Sequence, residues 1–233
     1  MRRSVPAAIT FALVLGLVLA SSAFASSCPS SGSPELLNFQ GISSLDPLHP
    51  VQVGSFYNGG GLPQTCNFGV TFSSNVYGMK PISMGGPGNF APTPTQTPAI
   101  FVIGNFGTTI TGTMDVSSGF ANGLNFYYTA GMTETVTVWS GADGTGAILA
   151  SISLGNNNAS CGASGFCIWS NAQISFSGTA KSVTFTGPAD EFGIADITLN
   201  RNQTAVPEPS TVYLFGAGLF GVAASRIRRF FTS

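Results

Sequence analysis

The chain has 233 residues, 43% of them hydrophobic and only 7% charged, with a formal net charge of −1. That length suits one domain plus processing segments, or at most two small domains. Residues 26–206 keep only Lys80, Lys181 and Arg201 as cations, against eight acids, for a net charge near −5. No basic stripe remains to release counterions from a phosphate backbone, which argues against nucleic acid as a partner.

The first segment reads as an export signal. Arg2 and Arg3 precede an uncharged apolar stretch over residues 9–20 (ITFALVLGLVLA), and Ala23-Phe24-Ala25 supplies the small-x-small pattern of a signal peptidase site. This predicts a cleaved secretory signal helix over residues 1–25, with Ala23 and Ala25 as the peptidase site and a mature chain starting near Ser26. The apolar run is short for a retained anchor. A lipoprotein reading fails on Ala25-Ser26-Ser27-Cys28, which lacks the leucine usual three residues before a lipidated cysteine.

Cys28, Cys66, Cys161 and Cys167 all fall in the exported portion. An even count in an oxidising compartment favours disulfides over metal ligation. Three pairings are open. The one preferred joins Cys161 to Cys167 around a small glycine-containing loop and Cys28 to Cys66, because it keeps local partners together. Neither pair has the CxxC spacing of common zinc sites, and the lone histidine, His49, is remote in sequence from Cys161 and Cys167.

The middle of the chain shows short runs rich in Val, Ile, Thr, Phe and Tyr, punctuated by Gly, Asn and Ser, and no helical period. Nine strands are predicted, at residues 68–72 (FGVTF), 100–103 (IFVI), 108–116, 124–128 (LNFYY), 134–139 (ETVTVW), 147–154, 173–176, 182–186 (SVTFT) and 192–199 (FGIADITL). Val136 and Val138 share one face, with Thr135, Thr137 and Trp139 opposite; Val183 and Phe185 alternate with Ser182, Thr184 and Thr186 in the same way. One apolar and one hydroxyl-rich face belong to antiparallel sheets packed on a single core. The predicted fold is therefore all-β, an antiparallel β-sandwich of the jelly-roll kind, over residues 26–203. Asp143-Gly144-Thr145-Gly146 reads as a hairpin turn, and residues 85–98, with four prolines, as a long surface loop.

Few constellations carry chemistry. His49 lies between Leu48 and Pro50, and no Gly-x-Ser-x-Gly elbow accompanies it, so nucleophilic hydrolysis has no base to work with. No catalytic residue is predicted, and the chain is expected not to be an enzyme. Asp190, Glu191 and Asp196 cluster near the last strand, while Glu134 and Asp143 flank another. Such acids are usually solvated, yet a carboxylate pair could serve glycoside hydrolysis, and turn acids can bind calcium. Asp196 shares strand parity with Phe192 and Ile194 and is the candidate for a structural calcium ligand, because an inward carboxylate needs a metal, a donor or a bulge that turns it out. No other cofactor is implied. Tyr127, Tyr128, Trp139 and Trp169 could stack on sugar rings if exposed on one face, though Tyr127 and Tyr128 point oppositely, and packing is the default for such rings.

The tail has three parts. Ala205-Val206-Pro207-Glu208-Pro209 is held extended by its prolines. Residues 212–225 (VYLFGAGLFGVAAS) follow without a charge, and Arg226, Arg228 and Arg229 close the run. As a helix, the fifteen residues from Thr211 span about 22 Å, short of a hydrocarbon core of about 30 Å, so a transmembrane helix here needs thinning or snorkelling. This arrangement over residues 204–233 resembles the PEP-CTERM sorting signal of Gram-negative bacteria, with Val206-Pro207-Glu208-Pro209 as its motif and Arg226, Arg228 and Arg229 as its basic anchor. The resemblance implies recognition by an exosortase, a membrane protease-transpeptidase, with cleavage in or near Pro207-Glu208-Pro209. The protein would pass through the inner membrane transiently and then reach the cell surface or the medium, alongside exopolysaccharide. The run FSGTAKSVTFTGPADEFGIADITL is similar to the strands that close galactose-binding-like jelly rolls. Those often carry two adjacent aspartates where this chain has Ala195-Asp196, so no calcium or sugar site is carried over.

The resulting expectation is an exported surface or matrix protein whose partners are signal peptidase, exosortase and extracellular polysaccharide, with the sandwich as a structural or interaction module. The alternatives are a carbohydrate-binding module and a secreted glycoside hydrolase.

Overall fold

The computed structural model describes residues 34–62, 65–161 and 165–200. The predicted signal segment with Ala23 and Ala25, Cys28, and the tail with Val206, Pro207, Glu208, Pro209, Arg226, Arg228 and Arg229 lie outside the described residues.

Twelve strands are present among the described residues: β1 (Glu35–Leu37), β2 (Val51–Gln52), β3 (Val70–Phe72), β4 (Val76–Met79), β5 (Ala99–Val102), β6 (Thr109–Ala121), β7 (Leu124–Ala130), β8 (Glu134–Trp139), β9 (Ile148–Leu154), β10 (Ser170–Ile174), β11 (Thr179–Pro188) and β12 (Phe192–Leu199). All nine predicted strands correspond to one of these. The three that alternation missed have plain reasons. β1 and β2 are too short to show a period, and β4 contains Gly78, a residue that weakens strands. Gly78 is there because the Ile42 side chain, from a short 3-10 turn, comes within 2.7 Å of where its Cβ would stand.

The strands form two antiparallel sheets, one of seven strands in the order β10-β7-β12-β5-β4-β2 with β1 beside β12, the other of five in the order β3-β6-β11-β8-β9. Side chains from both sheets meet in one core. Val136, Val138, Val183 and Phe185 from the five-stranded sheet face Phe126, Phe192, Ile194 and Ile197 from the seven-stranded one. Phe185 packs edge-on against Phe126 at 6.5 Å and lies tilted against Phe192 at 6.4 Å, which ties the two layers together. The predicted hairpin joins β8 to β9, with Asp143, Gly144 and Gly146 all at positive φ (53°, 66° and 80°).

Two expectations need correction. Residues 85–98 are not a free surface loop: Phe90, Thr93 and Thr97 are buried, because the segment folds back over the outer face of the seven-stranded sheet. The parity assigned to Asp196 also fails. The β12–β7 register shifts between Ala195 and Thr198, and Asp196 sits at φ 52°, so a bulge places Ile197 rather than Asp196 in the inter-sheet core.

Candidate functional site

The outer face of the seven-stranded sheet carries a second apolar cluster. Met79, Phe90, Ala99, Phe101 and Ala195 form its buried part, with Tyr77, Ile103, Tyr127, Phe166 and Trp169 packed around them. A cluster on an outer face must be covered, and two segments cover it. The β4–β5 loop brings Phe90, and the loop before β10 brings Phe166 and Trp169. They pair through a parallel bridge between Phe90 and Phe166, with the Ala91 N–H donating to the Phe166 carbonyl at 2.7 Å. The Trp169 indole N–H donates to the Ala91 carbonyl at 2.9 Å, and its ring meets Phe90 edge-on at 5.9 Å.

The disulfide Cys161–Cys167, spanning six positions, fixes the second loop. Asn158 seats it, accepting at Oδ1 from the N–H groups of Cys167 (2.7 Å) and Ile168 (2.9 Å). Cys66 is also disulfide-bonded. Between the covering segments a cleft of about 180 Å³ remains, lined chiefly by Met79, Phe90, Phe101, Ile103 and Phe166. Its polar edge is Asn89 and Asp190, the latter at φ 66° and accepting from the Gly104 N–H at 3.4 Å. Reading the sequence missed this cleft. Its one signal was Phe90, a large apolar residue inside a proline- and glycine-rich stretch.

The aromatic residues singled out from the sequence separate. Tyr128 packs toward the inter-sheet core beside Phe192 at 6.4 Å, whereas Tyr127 joins the outer cluster. Trp139 stands on the outer face of the five-stranded sheet, its indole N–H donating to Thr184 Oγ1 at 2.9 Å. Trp139 and Trp169 therefore occupy opposite sides of the sandwich and form no common platform.

The acids other than Glu35 and Asp190 fall into four places. Asp196 is buried, and both its carboxylate oxygens are engaged: Thr97 Oγ1 donates to Oδ1 at 3.1 Å and Thr95 Oγ1 to Oδ2 at 2.5 Å. The partner its burial requires is thus a pair of threonine hydroxyls from the β4–β5 loop. Asp115 and Asp143 meet in a polar groove of about 610 Å³ shared with Asn58, Thr71, Ser117 and Lys181. The Asp143 N–H donates to Asp115 Oδ1 at 2.7 Å. Burial, with the Asp143 carboxyl alongside, holds the Asp115 carboxyl above the usual range, against the pull of that N–H. Asp46 is in an exposed turn with His49 Nδ1 3.0 Å from its Oδ2, and the N–H of Leu48 does most to lower its pKa. His49 thus completes a local turn. Glu134 is buried at the mouth of the sandwich, its carboxyl pushed up to about 8 by burial and then by the charge of Glu191. Among the described residues no group of three or more His, Cys, Asp or Glu gathers in metal-binding proximity.

What these observations define is an antiparallel two-sheet sandwich with one covered, aromatic outer face. Residues 205–229, just beyond β12, match the family described as the PEP-CTERM protein-sorting motif. The chain carries that sorting motif, the mark of an exported protein. No curated protein matches the chain. Among solved structures it resembles the K1 cleaved adhesin domain of Lys-gingipain from Porphyromonas gingivalis W83, at 11% identity and TM-score 0.43, covering 74% of this chain and all of that one. It also resembles a family 6 carbohydrate-binding module (14%, TM-score 0.36, 57% of this chain and 87% of that one). A third likeness is to a glycoside hydrolase family 43 arabinoxylan arabinofuranohydrolase from Bacillus subtilis (14%, TM-score 0.38, 67% of this chain and 28% of that one). At these TM-scores the likenesses carry neither ligand nor activity to this chain.

Proposed function

We propose that this is an exosortase-processed protein of the cell surface or extracellular matrix, whose sandwich, with jelly-roll connectivity, serves as a structural or interaction module associated with exopolysaccharide. The observation that carries the reading is the sorting motif at residues 205–229, placed directly after the last strand. In this reading residues 1–25 are removed by signal peptidase at Ala23-Phe24-Ala25, and residues 26–203 are the working ectodomain. Residues 204–233 hold the chain in the inner membrane until exosortase acts at Val206, Pro207, Glu208 and Pro209, with Arg226, Arg228 and Arg229 kept on the cytoplasmic side.

The test is the mature C-terminus. Surface and culture fractions from cells with active exosortase, read by mass spectrometry, should yield a chain ending in or near residues 207–209. Cells lacking exosortase should retain residues 226–229. Intact Arg228-Arg229 on the surface protein of exosortase-competent cells overturns the reading.

The aromatic cleft favours a second reading, a carbohydrate-binding module that engages one sugar ring against Phe90, Phe101 and Phe166, with Asp190 and Asn89 as polar partners. Glycan-array binding lost on Asp190→Ala supports it. Hydrolysis fits the acids less well: the Asp115 and Asp143 carboxyls lie within hydrogen-bonding reach of each other, whereas glycosidase pairs stand roughly 5–9.5 Å apart.

A further inference from the structure

An asparagine followed by glycine is open to attack by the next backbone nitrogen, because glycine puts no side chain in the way. The chain has two such pairs, Asn58-Gly59 and Asn122-Gly123, and the fold treats them oppositely. Asn58 and Gly59 are both exposed in the turn after Tyr57, with Gly59 at φ 83°. The turn is pinned on either side of Gly59: the N–H groups of Asn58 and Gly60 both donate to the Ser55 carbonyl, at 2.7 and 2.9 Å. Among the described residues no hydrogen bond occupies the Gly59 N–H or the Asn58 side-chain amide. Asn122-Gly123 is instead the tight connection between β6 and β7. Gly123 is buried, with the Ile174 carbonyl against the place a Cβ would take, and its own carbonyl accepts from the Asn200 N–H at 3.3 Å. The Ala121 N–H donates to the Asn200 carbonyl at 2.8 Å, and Asn122 is itself engaged. That hairpin must open before its amide can react.

We propose that Asn58 is a site of spontaneous deamidation, with the Gly59 backbone nitrogen as the nucleophile and water as the only co-reactant. The Gly59 nitrogen gives its proton to a solvent base and attacks Asn58 Cγ. The new N–C bond closes a cyclic imide, and the side-chain nitrogen leaves as ammonia. Water then opens the ring at either carbonyl, leaving aspartate, or isoaspartate with the chain rerouted through the former side chain. An exposed turn tip is where such a change is tolerated. The position also has a consequence for its surroundings, because Asn58 lines the polar groove with Asp115, Asp143 and Lys181. Either product adds a negative charge to a groove whose two acids already meet through the Asp143 N–H and share it with one lysine. The isoaspartate also lengthens the backbone by one carbon between the Asn58 and Gly60 N–H groups. Their common acceptor at Ser55 and the neighbouring Tyr57–Val70 bridge then lose their spacing.

The test uses the full-length chain, aged in mildly alkaline buffer with and without denaturing urea and read by peptide mapping with mass spectrometry. In the folded chain Asn58 should lose its amide at least about tenfold faster than Asn122, because the buried hairpin reacts only through local opening. In urea the two pairs should react at similar rates, since their dipeptide chemistry is the same. Isoelectric focusing should show an acidic form that accumulates with age, co-migrates with freshly purified Asn58→Asp and is missing from Asn58→Gln, whose longer side chain closes the ring slowly. Asn58 is exposed, so both variants keep the fold. An Asn58 amide that persists in the folded chain overturns the site, as do equal rates at the two pairs without urea or an acidic form undiminished in Asn58→Gln. A preference for Asn58 that survives unchanged in urea overturns the role given to the fold.

Discussion

Replacing Glu134 by glutamine keeps the shape of the side chain and removes its ionisation, so it isolates the energetic consequence of burying that carboxyl. In the folded chain burial and Glu191 push the carboxyl from its ordinary 4.5 to about 8. Between those values the unfolded chain has lost a proton that the folded chain retains. Unfolding free energy therefore falls as pH rises, by up to about 1.4 kcal/mol per pH unit. The full interval sets a ceiling of about 5 kcal/mol, and relaxation and water entry at the end of the sandwich reduce this to about 2–4 kcal/mol. Wild type should be most stable below pH 5 and lose about 2–4 kcal/mol by pH 9, roughly 4–16 °C in Tm. Glu134→Gln should match the wild type near pH 5, lack this decline, and be the more stable protein at pH 9. Urea denaturation from pH 5 to pH 9 reads both curves. An equal decline in the variant, or none in the wild type, refutes the assignment of the buried charge to Glu134.

Three further outcomes follow from the packing. Cys161→Ser with Cys167→Ser opens a loop of sequence separation 6, which should cost about 2 kcal/mol in urea melts and increase solvent quenching of Trp169 fluorescence, because the bridge anchors the segment beneath that ring. Phe126→Ala deletes a fully buried ring facing Phe185 across the sheets and should destabilise by about 3–5 kcal/mol in the same assay, a loss under 1 kcal/mol refuting its place in the core. Asp196→Ala removes the carboxylate that accepts from the Thr95 and Thr97 hydroxyls and should cost about 1.5–3 kcal/mol, with faster proteolysis of the β4–β5 loop as its local signature.

Much of the sandwich was legible because its strands carry the information locally. ETVTVW and SVTFT each show two valines or a valine and a phenylalanine on one parity, and β8 and β11 pair on those residues, Val136 opposite Phe185 and Val138 opposite Val183. The sites were less legible because their meaning depends on partners far away in sequence. A glutamate at the start of a strand reads as solvated. What buries Glu134 is the glycine at 187, brought alongside by the β8–β11 register, and nothing in either local stretch announces the other. Asp196 misled for a similar reason. Period-2 counting assumes an unbroken ladder, and one bulge beside Ala195 reverses every assignment beyond it. The aromatic cleft depends on a loop whose prolines suggested exposure. Proline limits strand pairing but does not prevent a loop from lying flat on a sheet and burying a phenylalanine there.

The position of the last strand bears on how export and folding can be separated. β12 is an interior strand, paired along one edge with β7 and along the other with β5 and β1, and its described pairing ends at Leu199. A strand held on both edges contributes its whole buried face to the core, and Phe192, Ile194, Ile197 and Leu199 all lie there. The matched sorting residues begin at 205, past the last of these contacts. Cleavage in or near residues 207–209 would therefore remove none of the hydrogen bonds or buried side chains that β12 supplies. Truncation before residue 197 would instead take away Ile197 and Leu199 and the register that seats β1, and should unfold the domain. A stability measurement on chains ending at 203 and at 195 separates the two: unchanged unfolding free energy for the first and loss of cooperative unfolding for the second are expected, and equal behaviour of the two would show that β12 is not the strand that closes the sandwich.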